Sequence, residues 1–245
     1  MFRRLTAVGL CVLALGLATA AQANLSIDKL WVEFPDGRPG RSDVVIRNDS
    51  DERYYIDVSV SEVLNPGTAE EERATIADPE ALGLLVTPNR MILEPGALRS
   101  IRLVSLNENL TRDRIYRVMI RPQVGAIQVD EQVEQESPAI VMKLLAAYDV
   151  LVVARPEGAE PLLTAQRSGT ELAVSNTGGT NILVAEGMVC PKDTDEVQRD
   201  ALCTPLEARR LYSGNVMKIE LKSPDDVVML KTKKGSSASL VSVNF

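Results

Sequence analysis

A period of two runs through this chain, and it constrains the fold more than any other feature. Residues 54–60 put Tyr54, Ile56, Val58 and Val60 on one parity and Tyr55, Asp57 and Ser59 on the other. That is the pattern of a strand with one buried face. Similar short runs recur at 25–27, 30–34, 44–47, 89–93, 98–104 and 116–121. Turn clusters separate them: Pro35 to Gly40, the polar quartet 48–51, and Leu93-Glu94-Pro95-Gly96, where proline and glycine interrupt regular pairing. Residues 70–85, acidic and alanine-rich, depart from the pattern and read as a short surface helix or a solvated loop. Residues 128–137, rich in Asp, Glu and Gln, read as an acidic loop.

Arg155-Pro156-Glu157-Gly158 reads as a hinge, since proline and glycine end a strand abruptly. Beyond it the runs 162–165, 171–175, 182–187, 210–212, 216–221, 227–232 and 240–245 form a second set. Short strands at this spacing predict sandwiches. The expected organisation is a signal peptide over 1–23, a first domain over 24–156 and a second over 157–245, of ordinary domain size.

The signal peptide is expected from Arg3 and Arg4, the apolar run 5–18 and the small-x-small triplet Ala21-Gln22-Ala23. No later stretch reaches the roughly 18 uninterrupted apolar residues of a membrane span. Cleavage removes two of the 27 basic residues and none of the 34 acidic ones, leaving 25 against 34, a net charge of about −9. That balance argues against nucleic acid as a partner, though not against a local basic cleft. Cys190 and Cys203 remain, and an even pair in an exported chain predicts a disulfide. The chain contains no histidine, which removes the commonest general base and zinc ligand. Nothing in the spacing of serines, lysines or acids supplies a catalytic set, so the expectation is binding rather than catalysis, with no cofactor or metal.

Residues 140–154, IVMKLLAAYDVLVVA, carry apolar side chains on both parities. One explanation is a central strand covered on both faces. The other is an edge that a partner covers by adding a strand of its own.

Several motifs taken in order carry a resemblance. They are VVIRN ending at Asn48, LLVTPNRMILEPG over 84–96, Asp113-Arg114 before Tyr116, VLVVARP over 150–156, AVSNTGG over 173–179 and RLYSGN over 210–215. With these the chain resembles the periplasmic chaperones of the chaperone–usher pilus pathway, the PapD-like family, in a divergent branch. The resemblance implies an all-β protein of two immunoglobulin-like β-sandwich domains set at an angle. It implies a periplasmic chaperone that binds pilus subunits by donating a β-strand and delivers them to an outer-membrane usher. Ile140, Met142, Leu144 and Ala146 would be the donating residues. Glu94 and Arg155 would form an interdomain ion pair with Asp225 or Asp226, although Glu94 also reads simply as a turn residue.

The best-known members of the family anchor the subunit's terminal carboxylate with an arginine and a lysine at positions that are Trp31 and Leu151 here. Lys29, Arg117 and Arg121 are the candidate replacements, each also readable as an ordinary solvated charge. An alternative function is a secreted immunoglobulin-like adhesin or pilus structural subunit.

Overall fold

The computed structural model describes residues 24–35, 37–123, 144–235 and 239–245. The expected signal peptide at 1–23 and acidic loop at 128–137 lie outside them.

Among the described residues, ten strands build the first unit: β1 (Leu25–Ile27), β2 (Trp31–Phe34), β3 (Gly40–Asn48), β4 (Tyr54–Leu64), β5 (Glu72–Ala74), β6 (Leu84–Thr87), β7 (Arg90–Leu93), β8 (Leu98–Ser105), β9 (Arg114–Gln123) and β10 (Tyr148–Ala154). They form two facing sheets, ordered β1-β3-β8-β6 and β2-β10-β9-β4-β5, with β7 also on β4. The inner residues of both sheets, among them Val32, Ile46, Ile56, Leu103, Ile120, Val150 and Val152, make one core. Along β9 the even positions Tyr116, Val118 and Ile120 are buried inside it, as the period of two requires.

The second unit contains β11 (Leu163–Ser168), β12 (Glu171–Asn176), β13 (Ile182–Cys190), β14 (Thr204–Leu206), β15 (Arg209–Leu211), β16 (Val216–Glu220), β17 (Val227–Lys233) and β18 (Val241–Asn244). Its sheets run β11-β12-β16 and β14-β13-β17-β18, with β15 also on β13. They enclose a separate core that includes Leu172, Val174, Val184, Met217, Ile219 and Leu230. The expected disulfide is present: Cys190 at the end of β13 is bonded to Cys203.

Of two details the structure refines one, the short helix expected in 70–85, and corrects the other, the start of the 140–154 strand. The 70–85 stretch holds the three-residue β5, a single helical turn at Pro79–Leu82 and the start of β6. Asp78 caps that turn by accepting from the Glu80 N–H at 3.1 Å, and Gly83 ends it at φ 76°. With both caps so close together along the chain the helix has no room to grow. The strand expected over 140–154 begins at Tyr148; residues 144–147 are not in it, and 140–143 lie outside the described residues.

The two units share one corner design. Asn48, at the end of β3, is fully buried and donates from Nδ2 to the carbonyls of Glu52 (2.6 Å) and Leu93 (3.0 Å). Asn176, at the end of β12, donates to the carbonyls of Thr180 (2.8 Å) and Leu211 (3.0 Å). Behind each, a glycine N–H closes on the asparagine carbonyl: Gly96 at 3.0 Å, Gly214 at 2.8 Å. Both glycines have positive φ, which a side chain would strain. Replacing either asparagine by alanine leaves two carbonyls short of a donor. We expect each change to lower the stability of its own unit by about 2 kcal/mol, checked by urea titration. A larger loss in the opposite unit would contradict this.

Candidate functional site: the cleft beside β10

β2 runs parallel to β10, setting Trp31 opposite Leu151 and Glu33 opposite Val153. On β10 the even side chains enter the core, so the odd ones face the other way. There Leu151 and Val153 join Trp31, Ile115, Val63 and, from the second unit, Tyr212 in an apolar cluster at the junction. The Arg210 guanidinium stands over the Trp31 ring, 4.5 Å from its centroid. Arg117 on β9 is the register partner of Leu151. Burial pushes the Tyr212 hydroxyl up from its ordinary range, opposed by the neighbouring Arg210 and Arg117 cations.

Arg155 follows β10 and locks the junction. Nη2 donates to Glu33 at 2.5 Å, and Nη1 donates to Asp113 at 3.2 Å and to the Thr180 hydroxyl. Asp113 is nearly inaccessible, at 2% exposure. Its Oδ2 also accepts from the Thr180 hydroxyl (3.0 Å) and from the backbone and side-chain N–H groups of Asn181 (2.9 and 2.5 Å). A backbone bond from the Asp113 N–H to the Gly179 carbonyl (3.1 Å) crosses the junction, and within the first unit the Gly37 N–H donates to the Arg155 carbonyl (2.8 Å). On one side the junction opens into a cavity of about 770 Å³, bordered by Glu62, Arg114, Asp113 and Tyr212. Arg114 grips Glu62 there with two bonds of 2.8 and 2.6 Å.

The structure therefore puts Arg155 at the junction, but its ion pairs, to Glu33 and Asp113 rather than to the partners expected, stay within the first unit, and the contacts that cross are the hydrogen bonds of Arg155 and Asp113 with Thr180 and Asn181. Glu94 pairs with Arg53 at 2.8 Å within the first unit. Asp226 accepts from the Lys222 and Ser223 N–H groups, both at 2.9 Å, and closes a turn within the second unit; Asp225 is exposed in that turn. The cause is the parallel register, which places Glu33 next to Arg155, whose own N–H donates to the Phe34 carbonyl. Of the candidate anchors, Lys29 pairs with Asp28 at 3.4 Å and Arg121 is exposed opposite Asp57. Only Arg117 lies at the cleft. Arg210 was missed, although it opens the RLYSGN motif.

The upper part of β10 has a second property. Tyr148, Asp149 and Val150 pair with β9 on one side, while on the other side β2 begins only at Leu151. β1 does not continue the pairing, because it joins β3 in the opposite sheet; it is tied back by the Tyr148 hydroxyl, which donates to the Leu25 carbonyl. Among the described residues no strand covers that side of 148–150. Just upstream Leu144 is 80% exposed, Ala146 is exposed and Leu145 leans on the first core. Ile140 and Met142 lie outside the described residues.

No family model matches the chain. It is similar to a CS1 fimbrial protein of Escherichia coli that is named as a fimbrial subunit, 27% identical over 199 residues, which is 80% of this chain and 79% of the relative. It superposes on the class 5 fimbriae chaperone CfaA with a TM-score of 0.69 at 20% identity, covering 91% of this chain and 98% of that one. A chain from the chaperone–tip adhesin complex of CFA/I fimbriae biogenesis gives a TM-score of 0.66 at 22% identity, with the same coverage. The chain thus has the two-domain, immunoglobulin-like fold found in fimbrial chaperones.

Proposed function

We propose that this chain is a periplasmic chaperone, exported through residues 1–23, that binds fimbrial subunits and passes them to an outer-membrane usher. Its subunit-binding domain would end at Pro156. The observation that carries this reading is the uncovered side of β10 above Leu151, followed upstream by exposed Leu144. A subunit short of one strand would pair its backbone along that edge and take up Ile140, Met142, Leu144 and Ala146 in its core. Burying four such side chains contributes on the order of 5–9 kcal/mol, and ordering and association costs remove several of those. The complex is then specific yet releasable. At the closed end of the edge, Arg117 and Arg210 flank Trp31 and Leu151. They supply the cations for a terminal carboxylate, for which the arginine fork is well suited.

Leu144→Glu tests this reading. At an exposed site the change should move stability by no more than about 0.5 kcal/mol. Co-expressed with a fimbrial subunit in a bacterial periplasm, the variant should recover at least about tenfold less subunit than the parent, as one unpaired charge in an apolar groove demands. Equal recovery would remove the strand-donor role. The name of the Escherichia coli relative favours a second reading, a structural component of the fimbria; polymers in sedimentation of the purified protein would support it instead.

A further inference from the structure

Arg210 differs from the other arginines around the junction. Arg155 faces Glu33 and Asp113, Arg114 faces Glu62, and Arg73 faces Asp149. Arg210 donates from Nη1 to the neutral Asn181 Oδ1 at 2.5 Å, and no carboxylate among the described residues lies within ion-pair distance of it. Glu33 and Asp113 are close enough to be felt, but Arg155 already engages both. Burial holds the Arg210 guanidinium below the usual arginine range, which is the signature of a cation kept without a full counter-charge.

What keeps it there is Asn181, a fully buried side chain. A side-chain amide has one accepting end and one donating end. Asp113 is acceptor-only when ionised, so the Asn181 NH2 must face it, and that leaves Asn181 Oδ1 to receive Arg210. Asp113 therefore sets the polarity of Asn181, and Asn181 sets the place of Arg210 over Trp31. Because Asp113 comes from the first domain and Asn181 and Arg210 from the second, this relay exists only while the junction is closed.

We propose that Asn181 is a positioning residue for the cleft: clamped by Asp113, it holds Arg210 on Trp31 with its remaining N–H donors unspent among the described residues, so a carboxylate ending a bound chain meets a cation whose placement depends on the domain junction. This rests on the chaperone reading given above. It adds that grip and domain angle are coupled through one amide.

Trp31 is the single tryptophan of the chain, so its emission reports the relay in the free protein. Asn181→Ala and Arg210→Ala are both expected to change Trp31 emission, in the same direction, with the double variant matching Arg210→Ala. Asn181→Ser serves if the alanine variant does not fold. The second readout is affinity for an N-acetylated valine–threonine heptapeptide with a free carboxylate, compared with its C-terminal amide. Each single variant should lose about tenfold for the acid, and the double variant about tenfold rather than a hundredfold, because the two residues act in series. Unchanged Trp31 emission in the Asn181 variant, or losses that multiply, overturns the relay. Equal affinity of the parent protein for acid and amide would instead remove the carboxylate-anchor reading; the emission arm still decides the relay.

Discussion

Arg155→Ala should destabilise the protein by about 3 kcal/mol and resolve its unfolding into two transitions. Removing one member of a buried ion pair typically costs roughly 3–5 kcal/mol, because the partner charge stays behind. Here the low end applies. Asp113 keeps the Thr180 hydroxyl and both Asn181 N–H groups, and Glu33, whose side chain is 23% exposed, can take up water. The separation of transitions follows from the architecture. Each unit has its own core, and Arg155, held by Glu33 and Asp113 within the first unit, reaches across the seam to the Thr180 hydroxyl of the second. Urea titration followed by Trp31 emission for the first domain and by far-ultraviolet circular dichroism for both would show it. A single transition at the parent midpoint would mean that the seam is held by the apolar cluster and backbone bonds alone. Adding Asp113→Asn should recover part of the loss, since the residual charge is then gone.

Reducing the Cys190–Cys203 bond should cost the second domain roughly 3 kcal/mol, the chain-entropy figure for a loop of this size. The first domain has no described cysteine, so its transition should stay in place. In the Arg155→Ala background the two transitions stand apart, and the assignment becomes direct: only the second-domain midpoint should fall on adding a reductant. Equal movement of both would show that the domains remain coupled without Arg155. Production in a reducing compartment should give the same selective weakening as Cys190→Ser with Cys203→Ser.

The strands were legible in the sequence because burial on one face writes itself as alternation. The run 54–60 became the first part of β4, and the seven runs after the hinge correspond to strands of the second domain. The helical turn at 79–82 was legible in kind, but its brevity was written in Asp78, Pro79 and Gly83 rather than in the acidic composition. The ion pairs of Arg155 were not legible. Glu33 lies 122 residues away along the chain, and only the parallel register of β2 on β10 brings it close. No local pattern encodes that register. Arg210 carried a signal in its motif, but its meaning depends on Trp31 lying beneath it across the domain boundary. The start of β10 was misjudged because apolar residues on both parities describe a sticky segment equally well whether or not it is paired.

The crossing of the chain between Ile27 and Trp31, from one sheet to the other, works as a ruler. Pairing along β10 on that side ends where Trp31 starts, so a foreign strand laid against it must terminate there. Moving the crossing by two residues would shift that terminus by about 7 Å, the rise of two residues in an extended chain. On the strand-donor reading proposed above, loop length at 28–30 would thereby set how far a guest's tail can reach.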